Sequence, residues 1–316
     1  MAALTPSSAP QITVSRLSKK YADAWALDGL DLEVGPGEIV GLLGPNGAGK
    51  TTALEILCAL RRPTSGSVEV AGVDPTRDPS AVRARIGTVL QTPALDGVAT
   101  ARESLTLQAR LRGVPARRAR AEADAALDRA GLAEMADKRI ATLSGGQRRR
   151  VDLATAVIGH PRVLILDEPT AGLDPASRRA LWEQVRELAG EGVAVLLSTQ
   201  DLHEAEQLAH RLVVLRSGRV VANATATALK SAAGDRNLVI VLVDATDRTA
   251  ALRTAERLAQ SAVPDRDDDR TVRIPLGATG GLPGHYLAAL ATEGIAVADV
   301  RIDEPSLDDA VIGLTA

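Results

Sequence analysis

Glu38-Ile39-Val40-Gly41-Leu42-Leu43-Gly44-Pro45-Asn46-Gly47-Ala48-Gly49-Lys50-Thr51-Thr52 is the stretch on which the reading of this 316-residue chain turns. The residues up to Leu43 form an apolar, strand-like run, the next six are rich in glycine, and Thr51–Leu60 has helical spacing. Strand, loop and helix in that order are the setting in which Gly44–Thr51 reads as a phosphate-binding loop of the G-x-x-x-x-G-K-[ST] type. Glycines let backbone N–H groups curl around phosphate oxygens, and the helix N-terminus adds positive partial charge. Lys50 then suits the β- and γ-phosphates of ATP, and the Thr51 hydroxyl, with Thr52 beside it, suits Mg²⁺.

Further along, Val163-Leu164-Ile165-Leu166-Asp167-Glu168 puts two carboxylates at the end of a buried strand, where phosphate-binding α/β proteins gather their chemistry. Asp167 is a candidate Mg²⁺ ligand. Glu168 can polarise an attacking water, since γ-phosphoryl transfer needs an oriented nucleophile and charge neutralisation more than covalent help. Val193–Leu197 is another buried strand, separated from the first by an amphipathic helix at about Pro175–Ala189, so a parallel βαβ unit is expected.

Composition narrows the alternatives. Hydrophobic residues at 45% and charged residues at 24% are ordinary globular usage, so a soluble chain with a real core is expected. A net charge of -3 leaves no basic footprint for DNA or RNA. No apolar run of about 18 residues occurs, so no membrane-spanning helix is expected. The single cysteine, Cys58, excludes an internal disulfide and reads as a core residue.

Leu143-Ser144-Gly145-Gly146-Gln147 opens another glycine loop leading into a helix, Gln147–Ile158, again aimed at an anion. With this stretch added to the phosphate loop and the Asp-Glu strand end, the sequence from about Ile12 to Ala224 resembles the ABC ATPases. The resemblance implies that Ser144, Gly145, Gly146 and Gln147 cap ATP held by the phosphate loop of a second copy, two chains sandwiching two nucleotides. It implies that Tyr21 stacks on adenine, with Trp25 as an alternative. Gln91 matches the glutamine that contacts Mg²⁺ and reports to a membrane subunit, and Asp174 in Ala171-Gly172-Leu173-Asp174 matches the key residue of a loop crossing the dimer interface. Most of the family places a γ-phosphate-sensing histidine after the last of these strands, whereas this chain has Gln200 in Ser198-Thr199-Gln200-Asp201. That glutamine, Arg148-Arg149-Arg150, and Pro305-Ser306-Leu307-Asp308-Asp309 resemble the daunorubicin/doxorubicin-resistance type of ATP-binding subunit. His203 reads as a helix-surface residue and not as the missing switch.

The expected fold is α/β, a P-loop NTPase of the ABC ATPase type with a helical subdomain, plus a small C-terminal α+β domain. A loose tail covers residues 1–10, the ATPase domain 11–230 with its helical part at about 92–143, and the accessory domain 234–316. The strand-like pattern from about Gln11 to Val40, with Ile12–Val14 and Leu27–Val34 alternating, reads as edge strands. The acidic loop Asp265–Asp269 and the Gly/Pro-rich Gly277–Gly284 read as solvated connections. The resemblance implies ATP hydrolysis by a homodimer docked on an integral membrane permease at the cytoplasmic face of the membrane, exporting drug-like or lipid-like molecules. Two other readings compete. An ABC ATPase acting on ribosomes or DNA would be expected to carry paired ATPase domains or zinc modules, and this chain has one phosphate loop and one cysteine. A drug-sequestering protein would need an aromatic pocket, and aromatic residues are 1% of the chain.

Overall fold

A computed structural model describes residues 9–91, 95–234, 236–258, 262–264, 268–276 and 283–315. Residues 1–8 of the expected tail, 265–267 of the acidic loop and 277–282 of the Gly/Pro-rich stretch lie outside the described residues. The chain divides into two compact units, one running to Ala226 and the other from Thr227 to Leu314.

The first unit opens with β1 (Ile12–Tyr21), β2 (Ala24–Val34) and β3 (Ile39–Leu43), followed by α1 (Lys50–Leu57) and β4 (Ser65–Val70). Next come α2 (Pro79–Arg85), β5 (Ile86–Val89), α3 (Ala101–Leu111), α4 (Ala116–Arg129) and α5 (Gly145–Val157). It closes with β6 (Val163–Asp167), α6 (Pro175–Gly190), β7 (Ala194–Ser198), α7 (Leu202–Leu208), β8 (Arg211–Arg216) and β9 (Arg219–Ala224). A six-stranded sheet has the order β5-β6-β7-β3-β8-β9; its first five strands are parallel and β9 is antiparallel.

Its central strands β3, β6 and β7 are buried on both faces, which is why they read as apolar runs that do not alternate, whereas the edge strand β9 alternates between exposed and half-buried residues. Val40, Leu42, Ile165 and Leu196 face one core, shared with α1 and a second, antiparallel sheet of order β2-β1-β4. Leu164, Leu166, Val195 and Leu197 face the other, under α5 and α6 with Trp182 and Val185. Cys58 lies in the first core, and burial with nearby Asp167 and Glu55 pushes its thiol up to about 12. The expectation of edge strands is corrected for β1, which is the central strand of its sheet, bonded on one side to β2 and on the other to β4. The weakly patterned Ser65–Val70 supplies the missing neighbour, which local periodicity does not mark. The helices α3 and α4 build a separate core with α5, around Leu105, Ala109, Ala123, Leu127 and Val151.

The second unit holds most of α8 (Ala226–Ala233), then β10 (Arg236–Leu242), α9 (Arg248–Arg257), β11 (Val263–Pro264), β12 (Thr271–Leu276), α10 (Pro283–Thr292), β13 (Val297–Asp303) and α11 (Leu307–Thr315). Its antiparallel sheet has the order β11-β12-β10-β13. Leu238, Ile240, Val272 and Ile274 pack against Ala251, Ala255 and Leu290 of α9 and α10. Tyr286 is fully buried there and donates its hydroxyl to the Ala251 carbonyl at 2.7 Å, so the one polar atom it brings inside is satisfied.

Candidate functional site

The sheet order brings the chemistry together. β7 lies between β6 and β3, and Ser198 at its C-terminal end is level with Asp167 on one side and Leu42 on the other. The phosphate loop leaves β3 immediately after that level and enters α1 at Lys50. Two of its glycines are obligatory. A Cβ on Gly44 (φ +148) would stand 2.4 Å from the Leu215 carbonyl oxygen, and one on Gly49 (φ +108) 2.3 Å from that of Ala26. Pro45, Asn46 and Gly47 are exposed at the rim, while Ala48 is buried beneath them.

Among the described residues, the amides of Gly49, Lys50 and Thr51 donate to no protein group. A helix N-terminus leaves such donors free by construction. Lys50 is buried, and its Nζ donates to the carbonyls of Gly44 at 2.5 Å and Pro45 at 3.2 Å. Burial pulls its ammonium below the ordinary lysine range, partly offset by the charges of Glu168 and Asp167. Free N–H donors converging beside a desolvated cation form an anion site suited to phosphate.

Asp167 is buried at the end of β6, and its Oδ1 accepts from Ser198 Oγ at 2.5 Å. Glu168, half-buried, turns the chain sharply with φ +46, a left-handed conformation that costs a non-glycine residue about 1 kcal/mol. Its amide donates to the Ser198 carbonyl, and its Oε1 accepts from Gln200 Nε2 at 2.5 Å. Gln200 is exposed, just beyond β7 and ahead of the Asp201 cap of α7. The structure therefore brings Lys50, Asp167, Glu168 and Gln200 to one end of the sheet. His203 is exposed on α7, its ring edge-on to Trp182 at 5.5 Å.

Gln91 is exposed two residues past β5 and shares a cleft of about 550 Å³ with Glu168, Gly145 and Gly172. No cluster of three or more His, Cys, Asp or Glu side chains among the described residues could hold a metal alone. The Asp167 carboxylate, the exposed Thr51 hydroxyl and the Gln91 amide oxygen are nonetheless the hard donors Mg²⁺ takes. One carboxylate with neutral oxygens is also what a metal shared with phosphate groups requires. The residues present fit Mg²⁺ bound together with nucleotide.

A second cluster forms at the start of α5. Ser144 accepts from the Gln147 amide at 3.2 Å while Gln147 Oε1 accepts from the Ser144 amide at 2.9 Å, a reciprocal capping box. A Cβ on Gly146 would stand 2.1 Å from Ser177 Oγ, so α5 and α6 touch there. Asp174 caps α6, accepting from the amides of Ala176 and Ser177 and from Ser177 Oγ; those bonds hold its carboxyl below the usual range. No hydrogen bond among the described residues joins Ser144, Gly145, Gln147 or Asp174 to Gly44–Thr52. Tyr21 stands at the tip of the β1–β2 hairpin, 38% exposed and so outside the core, with Lys19 and Arg61 each within 5.5 Å of its ring centre. Trp25 is 48% exposed at the same tip. Sequence reasoning assigned no role to Ser198 and noted Arg149 only as part of a basic triplet. The legible signal was an arginine and an aspartate three residues apart, Arg149 and Asp152, on a helix.

Comparison with known proteins places this arrangement. Residues 27–171 match the ABC transporter family. The chain is 45% identical over 304 residues to the daunorubicin resistance ATP-binding protein DrrA3 of Streptomyces coeruleorubidus, covering 96% of this chain and 95% of that one. It is 41% identical to the daunorubicin/doxorubicin resistance ATP-binding protein DrrA of Streptomyces peucetius over 96% and 92% of the two chains. The Nod factor export ATP-binding protein I of Paraburkholderia xenovorans matches 69% of this chain and 72% of its own at 43% identity. Among solved structures, the ATP-binding subunit of an ABC transporter superposes with a TM-score of 0.64 at 30% identity, covering 70% and 92%. A dimeric ATP-binding cassette in a post-hydrolysis state with ADP and Pi gives 0.62 at 27%, covering 68% and 98%. With a phosphate loop, an Asp-Glu strand end and a capped glycine loop on one cassette fold, the chain belongs to the ABC transporter family as an ATP-binding subunit that hydrolyses ATP.

Proposed function

We propose that this subunit drives an exporter of drug-like or lipid-like molecules, working as a head-to-tail homodimer docked on a separate integral membrane permease at the cytoplasmic face of the membrane. The observation that carries the reading is the junction of Lys50, Asp167, Glu168 and Gln200 at one sheet end, while no hydrogen bond among the described residues joins the Ser144 loop to Gly44–Thr52. In this reading the phosphate loop of one copy and the Ser144 loop of the other are complementary halves, as the dimeric cassette among the solved structures suggests. The export assignment leans on the drug-resistance relatives, which run nearly the full length of the chain. Among the described residues no helix is long and apolar enough to cross a membrane, and this reading places the pathway in the permease.

In this reading Gly44–Thr52 and Lys50 hold the β- and γ-phosphates, and Tyr21 or Trp25 stacks on the adenine. Thr51, Asp167 and Gln91 would hold Mg²⁺, which supplies charge neutralisation on the phosphates. Glu168 orients the attacking water and accepts its proton, and Gln200 donates a hydrogen bond to the γ-phosphate in place of histidine. Gln91 passes the state of the site to the permease, and the C-terminal unit serves dimer contact or coupling. Glu168→Gln is the test. It should bind ATP, lose turnover by about 100-fold or more, and accumulate an ATP-dependent dimer seen by size measurement. Parental turnover in that variant removes Glu168 from its role, and co-isolation with ribosomes instead of a membrane protein refutes the transport reading.

A further inference from the structure

One buried, five-fold bonded side chain of the first unit is not used by the chemistry above. Arg149, on the first turns of α5, is 7% exposed and places all five guanidinium N–H groups. Its Nε donates to the Pro169 carbonyl at 2.7 Å. Nη2 donates to the carbonyls of Asp167 at 3.1 Å and Glu168 at 3.0 Å. Nη1 donates to the Leu90 carbonyl at 2.7 Å and to Asp152 Oδ2 at 3.2 Å. Three consecutive carbonyls thus converge on one cation, and the middle one belongs to Glu168, which holds the left-handed backbone. Parallel C=O dipoles aimed at one point repel unless a donor fills it, so the turn and the cation require each other. The fourth carbonyl, that of Leu90, immediately precedes Gln91.

We infer that Arg149 is the positioning residue that sets the Glu168 carboxylate against Gln200 and ties it to the Gln91 segment and to the helix capped by Ser144. Lysine cannot reproduce the arrangement, because an ammonium offers three donors from one point whereas the acceptors here spread around a planar fork. The inference rests on the proposed role of Glu168 as the residue that orients water. All five guanidinium N–H groups are taken by protein acceptors, none of them in Gly44–Thr52, so loss of Arg149 should change turnover and leave the phosphate loop's hold on ATP intact.

The test uses the full chain with Arg149→Lys and Arg149→Gln. Turnover should fall about 5- to 10-fold in the lysine variant and about 10- to 100-fold in the glutamine variant, with KM for ATP within about 3-fold of the parent. In nucleotide-free protein, amide exchange across Glu168–Ala171 should accelerate in both variants while α1 keeps its protection. Combined with Glu168→Gln, Arg149→Lys should add no further loss, since a residue acting through Glu168 has nothing left to position. Parental turnover in a folded Arg149→Lys overturns the inference, as does a loss confined to KM or a fully additive loss in the double variant. Should Glu168→Gln itself hydrolyse ATP at the parental rate, the proposed role of Glu168 fails first, and that outcome is distinct from the other three. If the glutamine variant does not fold, the lysine variant alone decides, because it keeps the buried charge.

Discussion

The two glycine loops of the first unit look alike in sequence and differ in what their polar groups do. In Gly44–Thr52 the first amides of α1 lack protein acceptors and the lysine is folded onto its own loop carbonyls, leaving a donor-lined cradle. In Ser144–Gln147 the hydroxyl and the amide side chain close a capping box, and neighbouring Asp174 caps the next helix. One loop keeps amide donors without protein acceptors, and the other has its capping groups paired within its own helix. The difference teaches that two glycine loops of one chain can be unlike in their free donors, and that, in the proposed dimer, the Ser144 loop would offer phosphate an exposed surface whose shape the caps already hold. Preorganised donors are worth most when they need no rearrangement on binding.

The largest effect should come from separating the helix cap made by Ser144 from its proposed place against phosphate. Ser144→Asp keeps a strong N-cap acceptor, so thermal stability should stay near parental, while a carboxylate facing phosphate should cut turnover about 100-fold and abolish the ATP-dependent dimer. Ser144→Ala should lose about 1 kcal/mol of stability by chemical denaturation. If Ser144→Asp hydrolyses ATP normally, that loop is a helix cap and nothing more. At the cradle end, Gln200→Ala should lower turnover about 10-fold, by loss of one oriented donor. Gln200→His should keep most of the rate and acquire a pH dependence near 6–7, where imidazole gains its charge. A steady-state rate profile over pH 5.5–8.5 checks both, and an unimpaired alanine variant refutes the sensor role.

The smallest effect tests the buried pair behind the second loop, Arg149 and Asp152 on α5. Burial pushes the Asp152 carboxyl up from 3.8 to about 6, in spite of Arg149 beside it, while burial also lowers the arginine. Between those values the folded chain holds a proton that the unfolded chain has released, so this group makes stability fall as pH rises through the window, with no further change above about 6. Asp152→Asn should remove that slope. Its stability relative to the parent should improve by about 1–3 kcal/mol between pH 4 and pH 7, read from denaturation midpoints. A constant difference across the range contradicts the assignment.

Much of the fold was legible because its signals are local. The apolar runs of β3, β6 and β7 announce a buried parallel sheet, and Gly44–Thr51 announces a loop whose glycines have steric reasons to be there. β4 was not legible: Ser65–Val70 has an exposed, polar first half, and only pairing with Ser15–Ile12 makes it a strand. β1 was read as an edge for the same reason, since a strand's neighbours are not written in its own residues. Arg149 was visible only as one of three arginines. That it alone turns inward to four carbonyls depends on where α5 lies over the ends of β5 and β6.

By itself the sequence determined the residue types and their order, which suffice for the family, the cassette fold and the chemistry of phosphate binding. Composition, strand-loop-helix order and glycine requirements act within a few residues of one another, so they survive in a one-dimensional reading. Only the tertiary structure decided that β7 stands between β6 and β3 and so sets Ser198 against Asp167. It also decided that Gln200 meets Glu168 across 32 positions at 2.5 Å, and that one buried arginine gathers the backbone from Leu90 to Pro169. Those are long-range hydrogen bonds between groups that are each ordinary alone. Their partners are set by sheet order and helix packing, which the burial of the whole chain decides collectively.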